Sequence, residues 1–311
     1  MSRFIKNFFA KRLPVIGLGL GLICAVSLPV QGKQERKPFQ VPDIFVLGDS
    51  QFAFGAGPAF YKFFTDFAMS CGNFEAEKSL AAEIDELNVG VMGVRSTSIH
   101  SWVAHKWVRK KMVCEPDPKW MVNARLYGWP GRTNGTYVQL GKPRDFKICR
   151  PGKSAIEAMF DNEQRPKLFV MFFTGNAVHR WANAPRRTGR DVQKLMEQLP
   201  SGTPCVFMTT VPSYSKKSND LRKRSQLGIR KAFEKFGSEC EFVPGHTPLT
   251  VKTFQGNKNY FKTSKAGKVK DPYHPTSRGA NKFLELRKDA LCRAVFKQVK
   301  RARSTATATQ N

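Results

Sequence analysis

A parallel β-sheet covered by helices on both faces is the fold class predicted by three features of this sequence. Apolar runs of strand length alternate with helical stretches at least five times. Those runs are continuous and do not alternate in polarity, as expected of strands buried on both faces. The chain has 311 residues, is 41% hydrophobic and contains 25 Phe, enough to bury such a core in one domain. The expectation is an α/β protein, a three-layer α/β/α sandwich with a central parallel sheet of about five strands.

The elements follow in order. Residues 43–47 are a short apolar strand ending at Gly48-Asp49-Ser50, and 58–71, rich in Phe and Ala, suit a helix packed on the sheet. Residues 75–86 continue with helical spacing, 87–91 form a second strand, and 98–113 are amphipathic. Periodicity fails over 114–153, where Pro116, Pro118, Pro130 and Pro151 punctuate a segment too long for a plain connection. An insertion is expected there, with a hairpin inside it. Strands return at 168–173, 205–211 and 241–243, separated by helices at 190–199 and 219–236. Residues 250–270 are polar and loop-like, 277–299 form the last helix, and the Ser/Thr/Ala tail 304–311 is expected to be disordered.

The first 32 residues differ from the rest. Arg3, Lys6, Lys11 and Arg12 precede an uncharged, largely apolar stretch that ends in small and turn-forming residues before Lys33. This is the layout of a secretory signal peptide; a retained N-terminal membrane anchor is the alternative. Both readings export the folded domain, 33–303, to a periplasmic or extracellular location.

The chain carries 52 basic and 24 acidic side chains, a formal net charge of +28. Such a field favours acidic partners, with an acidic glycan or an anionic envelope surface as the candidates. Nucleic acid is the weaker option, because the sequence has no zinc-finger spacing and no RNA-binding aromatic signature. Seven cysteines include Cys24 in the leader, leaving six in the domain. An even count in an exported chain points to disulfides, with 15 possible full pairings. Cys114 with Cys149 would staple the insertion. Cys205 and Cys240 open two strand-like runs that could lie side by side, and Cys71 with Cys292 would join two helices. No cofactor or metal site is expected, because no His, Cys, Asp or Glu grouping has ligand spacing.

Four segments carry chemistry. Val46-Leu47-Gly48-Asp49-Ser50-Gln51 is a strand running into a serine-bearing turn. Asn88 begins Asn-Val-Gly-Val-Met-Gly-Val-Arg-Ser, with Gly93 the second of its two glycines. Phe173-Thr174-Gly175-Asn176 follows the third strand, and Asp271-Pro272-Tyr273-His274-Pro275 precedes the final helix. In this order the four resemble the motifs of the SGNH/GDSL hydrolase superfamily, over nearly the whole exported chain. Two departures stand out. Gly175 directly precedes Asn176, where the family places its glycine two residues earlier, and Gln51 replaces the usual leucine.

The resemblance implies an SGNH-like sandwich of flavodoxin-like topology and a serine hydrolase cleaving an ester. Ser50 would be the nucleophile, His274 its base and Asp271 the group that orients the imidazole. Ser50, Gly93 and Asn176 would supply the oxyanion hole. Arg95, His179 and Trp129 are the candidate substrate-binding residues. Export, charge and the aromatic, basic insertion favour removal of acyl groups such as acetate from a cell-envelope or extracellular glycan. Two other readings stand beside this one. A transacylase would use the same triad on a sugar acceptor, and a non-catalytic module would use the basic surface to bind glycan or membrane.

Overall fold

The computed structural model describes residues 40–105, 113–114, 123–129, 134–139, 148–161 and 165–310. The leader at 1–32 lies outside them, and the described residues belong to one unit. Strand β1 (Ile44–Gly48) passes through Ser50 and Gln51 into a π-helical turn, Phe52–Ala56, then α1 (Gly57–Thr65) and α2 (Phe67–Ser70). Helix α3 (Lys78–Asp85) leads to β2 (Val89–Val94) and α4 (Ile99–Val103). A hairpin of β3 (Asn123–Tyr127) and β4 (Thr136–Gln139) follows, then α5 (Ala155–Phe160) and β5 (Leu168–Phe172). After a 3-10 turn at Gly175–Ala177 come α6 (Val178–Asn183), α7 (Pro185–Gln198) and β6 (Cys205–Met208). The chain closes with α8 (Lys216–Phe236), β7 (Cys240–Val243), α9 (Pro248–Phe254), β8 (Phe261–Thr263), β9 (Val269–Pro275) and α10 (Ser277–Gln310).

The strand sequences explain the layers. Every residue of β1 is buried, because successive side chains enter opposite cores. Ile44 and Val46 join the Phe-rich cluster under α1, α2, α3 and α10. Phe45 and Leu47 join the cluster under α4, α5, α7 and α8, with Trp102, Leu195 and Phe233. Helices thus cover both faces, and the general three-layer arrangement is present.

The strand order is β4-β3-β2-β1-β5-β6-β7. The five strands from β2 to β7 in that order are mutually parallel, while β3 and β4 run antiparallel. A purely parallel sheet of about five strands is therefore corrected to a mixed sheet of seven. The reason lies in the 114–153 insertion. Its hairpin pairs with β2, burying Ala124 and Leu126 in one core and Tyr127 in the other, and covers what would be an open edge.

Three disulfides are present: Cys71–Cys292, Cys114–Cys149 and Cys205–Cys240. The first ties the end of α2 to α10, and the second closes the base of the insertion. Cys205 and Cys240 are register partners on parallel neighbours β6 and β7. Two end segments differ from expectation. Residues 250–270 contain α9 and β8 in place of a loop. The tail is helical to Gln310, because α10 simply propagates through Ala-containing sequence once Phe283, Leu291, Val295 and Phe296 have anchored it in the core.

Candidate active site

The carboxyl ends of the parallel strands carry most of the singled-out residues, as open α/β sheets do. Gly48 ends β1, and a Cβ there would lie 2.5 Å from the Phe52 ring. Its register partner on β2 is Gly93, where a Cβ would lie 2.4 Å from Ala53 N and 2.6 Å from Phe52 Cβ. These two glycines let the turn after Ser50 lie directly on the strand ends. At Gly55 a Cβ would lie 2.3 Å from Pro275 O, so the same turn also touches the segment that follows His274.

That contact sets the serine against the histidine. Ser50 Oγ is 2.8 Å from His274 Nε2, and His274 Nδ1 is 2.7 Å from Asp271 Oδ2. A carboxylate only accepts hydrogen bonds, so Nδ1 carries the proton and Nε2 is left to accept from the serine hydroxyl. Asp271 and His274 both lie on β9, which pairs with β8 through two register shifts. Phe261 faces Pro275 and the next residue, Lys262, already faces Asp271. The irregular stretch contains Pro272, which has no N–H for a ladder. It folds the chain back so that Asp271 Oδ1 accepts the N–H groups of Tyr273 at 3.0 Å and His274 at 3.2 Å. Partial burial raises the Asp271 pKa, but these two N–H groups and the imidazole outweigh it and leave the carboxyl below its ordinary value.

Asp49 holds the turn at Ser50 together. Its Oδ1 accepts from Gln51 N at 2.9 Å and its Oδ2 from Gly175 N at 3.2 Å, joining the first and third motifs. Burial pushes its pKa up, opposed by the Gln51 and Thr174 backbone and by the Arg222 guanidinium. Arg222, buried on α8, donates to Val211 O. Gln51 is buried as well. Its Oε1 accepts from Val211 N at 2.9 Å, and its Nε2 donates to Val211 O at 3.2 Å and Tyr273 O at 2.9 Å.

No family model matches the chain. No curated protein matches it either. Among solved structures it is similar to the crystal structure of a DUF4886 family protein from Bacteroides uniformis. The identity is 11%, the TM-score 0.41, and the match covers 77% of this chain and 78% of that one. A likeness that remote carries no functional meaning.

The remaining singled-out residues are placed unevenly. Asn176 is exposed in the 3-10 turn, and its Nδ2 donates to Thr97 O at 3.0 Å, tying the third motif to the loop after β2. One amide hydrogen is left for another acceptor. Gly93 sits inside β2, and Arg95 N donates across to Asn123 O at 3.2 Å. Two residues earlier on an antiparallel ladder, Gly93 faces the same partner strand. The role visible for Gly93 is thus the space it leaves for the turn. Arg95 is exposed, with its guanidinium 4.7 Å from the centroid of the Phe54 ring. His179 is exposed on α6, and among the described residues no hydrogen bond or ion pair joins it to the triad. Trp129 is corrected: it is buried in the core, edge-on to Phe45 at 5.4 Å and beside Gly90 near the start of β2, at the opposite end of the strand from Gly93. Its ring fills the gap between hairpin and sheet.

Sequence reasoning missed the roles of Gln51, Arg222 and Phe54. Gln51 carried a signal, since a polar side chain stands where the resembled motif has leucine. Arg222 carried none: nothing in a basic amphipathic helix marks which arginine is buried.

Proposed function

We propose that this protein is a serine hydrolase that cleaves esters through an acyl-enzyme on Ser50. The observation that carries this reading is the continuous chain Ser50 Oγ, His274 Nε2, His274 Nδ1, Asp271 Oδ2, with links of 2.8 and 2.7 Å. Its place at the carboxyl ends of a parallel sheet adds support. So does the order of the parallel strands, β2-β1-β5-β6-β7, which matches the flavodoxin-like order and accords with the SGNH resemblance.

In this mechanism Ser50 Oγ attacks the ester carbonyl carbon while His274 Nε2 takes the hydroxyl proton. Asp271 keeps the imidazole oriented and stabilises its charged form. Negative charge gathers on the former carbonyl oxygen. The Ser50 N–H, at the start of a turn where it has no intrahelical acceptor, and the second amide hydrogen of Asn176 are its donors. The carbon–oxygen bond breaks, and the leaving alcohol takes the proton from His274. Water then attacks the acyl-enzyme, passing its proton through His274 back to Ser50.

The triad is open. The side chains of His274 and Asp271 are 23% and 35% exposed, which suits an acyl group presented on a large polymer and favours water as acceptor over a sugar hydroxyl. The proposed substrate is an acylated glycan of the envelope or extracellular space, an acidic one suiting the charge. Export rests on the leader and on three disulfides, which persist in oxidising compartments. Among the described residues no helix is long and apolar enough to cross a membrane.

Labelling by a fluorophosphonate probe tests the reading. The wild type is expected to react at one site, and Ser50→Ala to abolish it. Absence of labelling would leave the basic binding module. Product partition with added sugar acceptors separates hydrolysis from acyl transfer.

A further inference from the structure

The row of residues that ends at the nucleophile turn continues outward across the sheet. Gly48 pairs with Gly93, Gly93 with Arg125, and Arg125 with Tyr137. Register partners project to the same face. The first two are glycines, and the turn lies on them. The next two carry long side chains that rise beside it. Arg125 Nη1 and Tyr137 Oη both donate to Ala53 O, at 3.4 and 3.3 Å, and the guanidinium stacks on the Tyr137 ring at 4.8 Å. The hairpin of the insertion therefore fixes the carbonyl immediately before Phe54.

Phe54 has one ring contact that matters for chemistry and one for recognition. Its centroid is 4.6 Å from that of the His274 imidazole, and the Arg95 guanidinium lies 4.7 Å from the same ring. Yet Phe54 is 41% exposed. Among the described residues six large apolar side chains are exposed, and three of them, Phe54, Tyr137 and Tyr273, belong to this one neighbourhood. Arg95 makes no ion pair among the described residues. An exposed aromatic wall beside the base, topped by a cation with no carboxylate of its own, is built for a ligand that brings both an apolar face and an anion.

We infer that Arg95 and Phe54 form a subsite for a uronate, whose carboxylate pairs with Arg95 while its ring packs on Phe54 and Tyr137. This rests on the ester-hydrolase reading and narrows it to O-acylated acidic glycans. Base and cation share one aromatic ring, so the scissile ester and the carboxylate belong to the same or adjacent sugar units.

The test uses the full chain as Ser50→Ala, titrated with partly O-acetylated oligogalacturonate and with O-acetylated xylo-oligosaccharide, which carries the same acyl group and no carboxylate. The acidic ligand is expected to bind at least tenfold more tightly, and added salt to narrow the difference. Arg95→Gln in that background should remove the preference. Phe54→Ala should weaken both ligands. Lys194→Gln, at an exposed position on α7, should keep the preference, which separates local recognition from the overall positive field. Equal affinity for the two ligands, binding to neither, or a preference that survives Arg95→Gln would each overturn the subsite. Failure of the hydrolase reading looks different: the wild type then resists fluorophosphonate labelling, while the Arg95-dependent preference persists.

Discussion

Gln51 Nε2 donates to Tyr273 O at 2.9 Å, so the residue after Ser50 is fastened to the residue before His274. The same side chain accepts from Val211 N and donates to Val211 O. One buried amide thus joins the ends of β1, β6 and β9. Together with the close approach of Gly55 to Pro275, it holds the Ser50 turn against the segment that carries His274.

Gln51→Leu, the residue type of the resembled motif, removes all three bonds and takes the Gln51 partner from Val211 N–H and Tyr273 O, while Val211 O keeps its bond from Arg222. Each unsatisfied buried group costs about 1–3 kcal/mol. The expected outcome is a lower unfolding midpoint together with a fall in kcat of about tenfold or more, with KM changed little, because a misplaced base slows chemistry. Steady-state kinetics on an activated ester, alongside thermal unfolding, would check it. A loss of stability with kcat intact would make Gln51 a purely structural residue.

Asp271→Asn should preserve the fold and lower kcat by about two to four orders of magnitude, because the amide can present the wrong hydrogen-bonding group to Nδ1. Its effect on stability has a defined pH dependence. Folding lowers the Asp271 pKa below 3.8, so its charged form is favoured in the native state. That contribution is full above 3.8 and is lost as pH falls through the lower native value. The stability gap between wild type and Asp271→Asn should therefore be wider at neutral pH than in strong acid, as denaturant titrations at both would show.

The parts of this molecule that were legible share one property: they are written in local sequence. Strand–turn–serine at Ser50, the Asp271/His274 pair and the Cys205/Cys240 neighbours each sit where a short run already fixes the element and its end. The mixed sheet was not legible, because β3 and β4 are short and punctuated, and their pairing with β2 is a tertiary choice. Trp129 misled for a related reason. An aromatic among basic residues in an irregular segment reads as a binding residue until the hairpin buries it on Phe45. The tail failed in the opposite sense: its small polar residues gave no packing signal, yet a helix already anchored needs none to continue.

Cys71–Cys292 spans 221 residues, the longest loop closed by any of the three disulfides. Cross-linking such a loop restricts the unfolded chain most in the chain-entropy account. Replacing both cysteines by serine is expected to destabilise the protein by about 2–5 kcal/mol. Because both cysteines are buried in the Phe-rich cluster on one face of the sheet and neither bonds to Ser50, Asp271 or His274, the folded variant should still label with a fluorophosphonate. Urea unfolding followed by labelling of the native fraction separates the two effects.

His246 follows β7 in a turn and is buried with neither ring nitrogen hydrogen-bonded among the described residues. Burial, and then the charge of Arg222, hold its pKa well below 6.5. It therefore stays neutral in the native state where an unfolded histidine would take up a proton. Between pH 6.5 and its lower native value the unfolded state binds more protons, so stability must fall as pH falls through that window. A difference of one proton corresponds to about 1.4 kcal/mol per pH unit. His246→Phe keeps a ring of similar shape without the titration. Urea midpoints for wild type and variant should therefore draw apart toward acid, the wild type falling further and the variant being the less sensitive to pH below 6.5. Parallel profiles would show that His246 is solvated or partnered in solution, and that the acid sensitivity of the fold lies elsewhere.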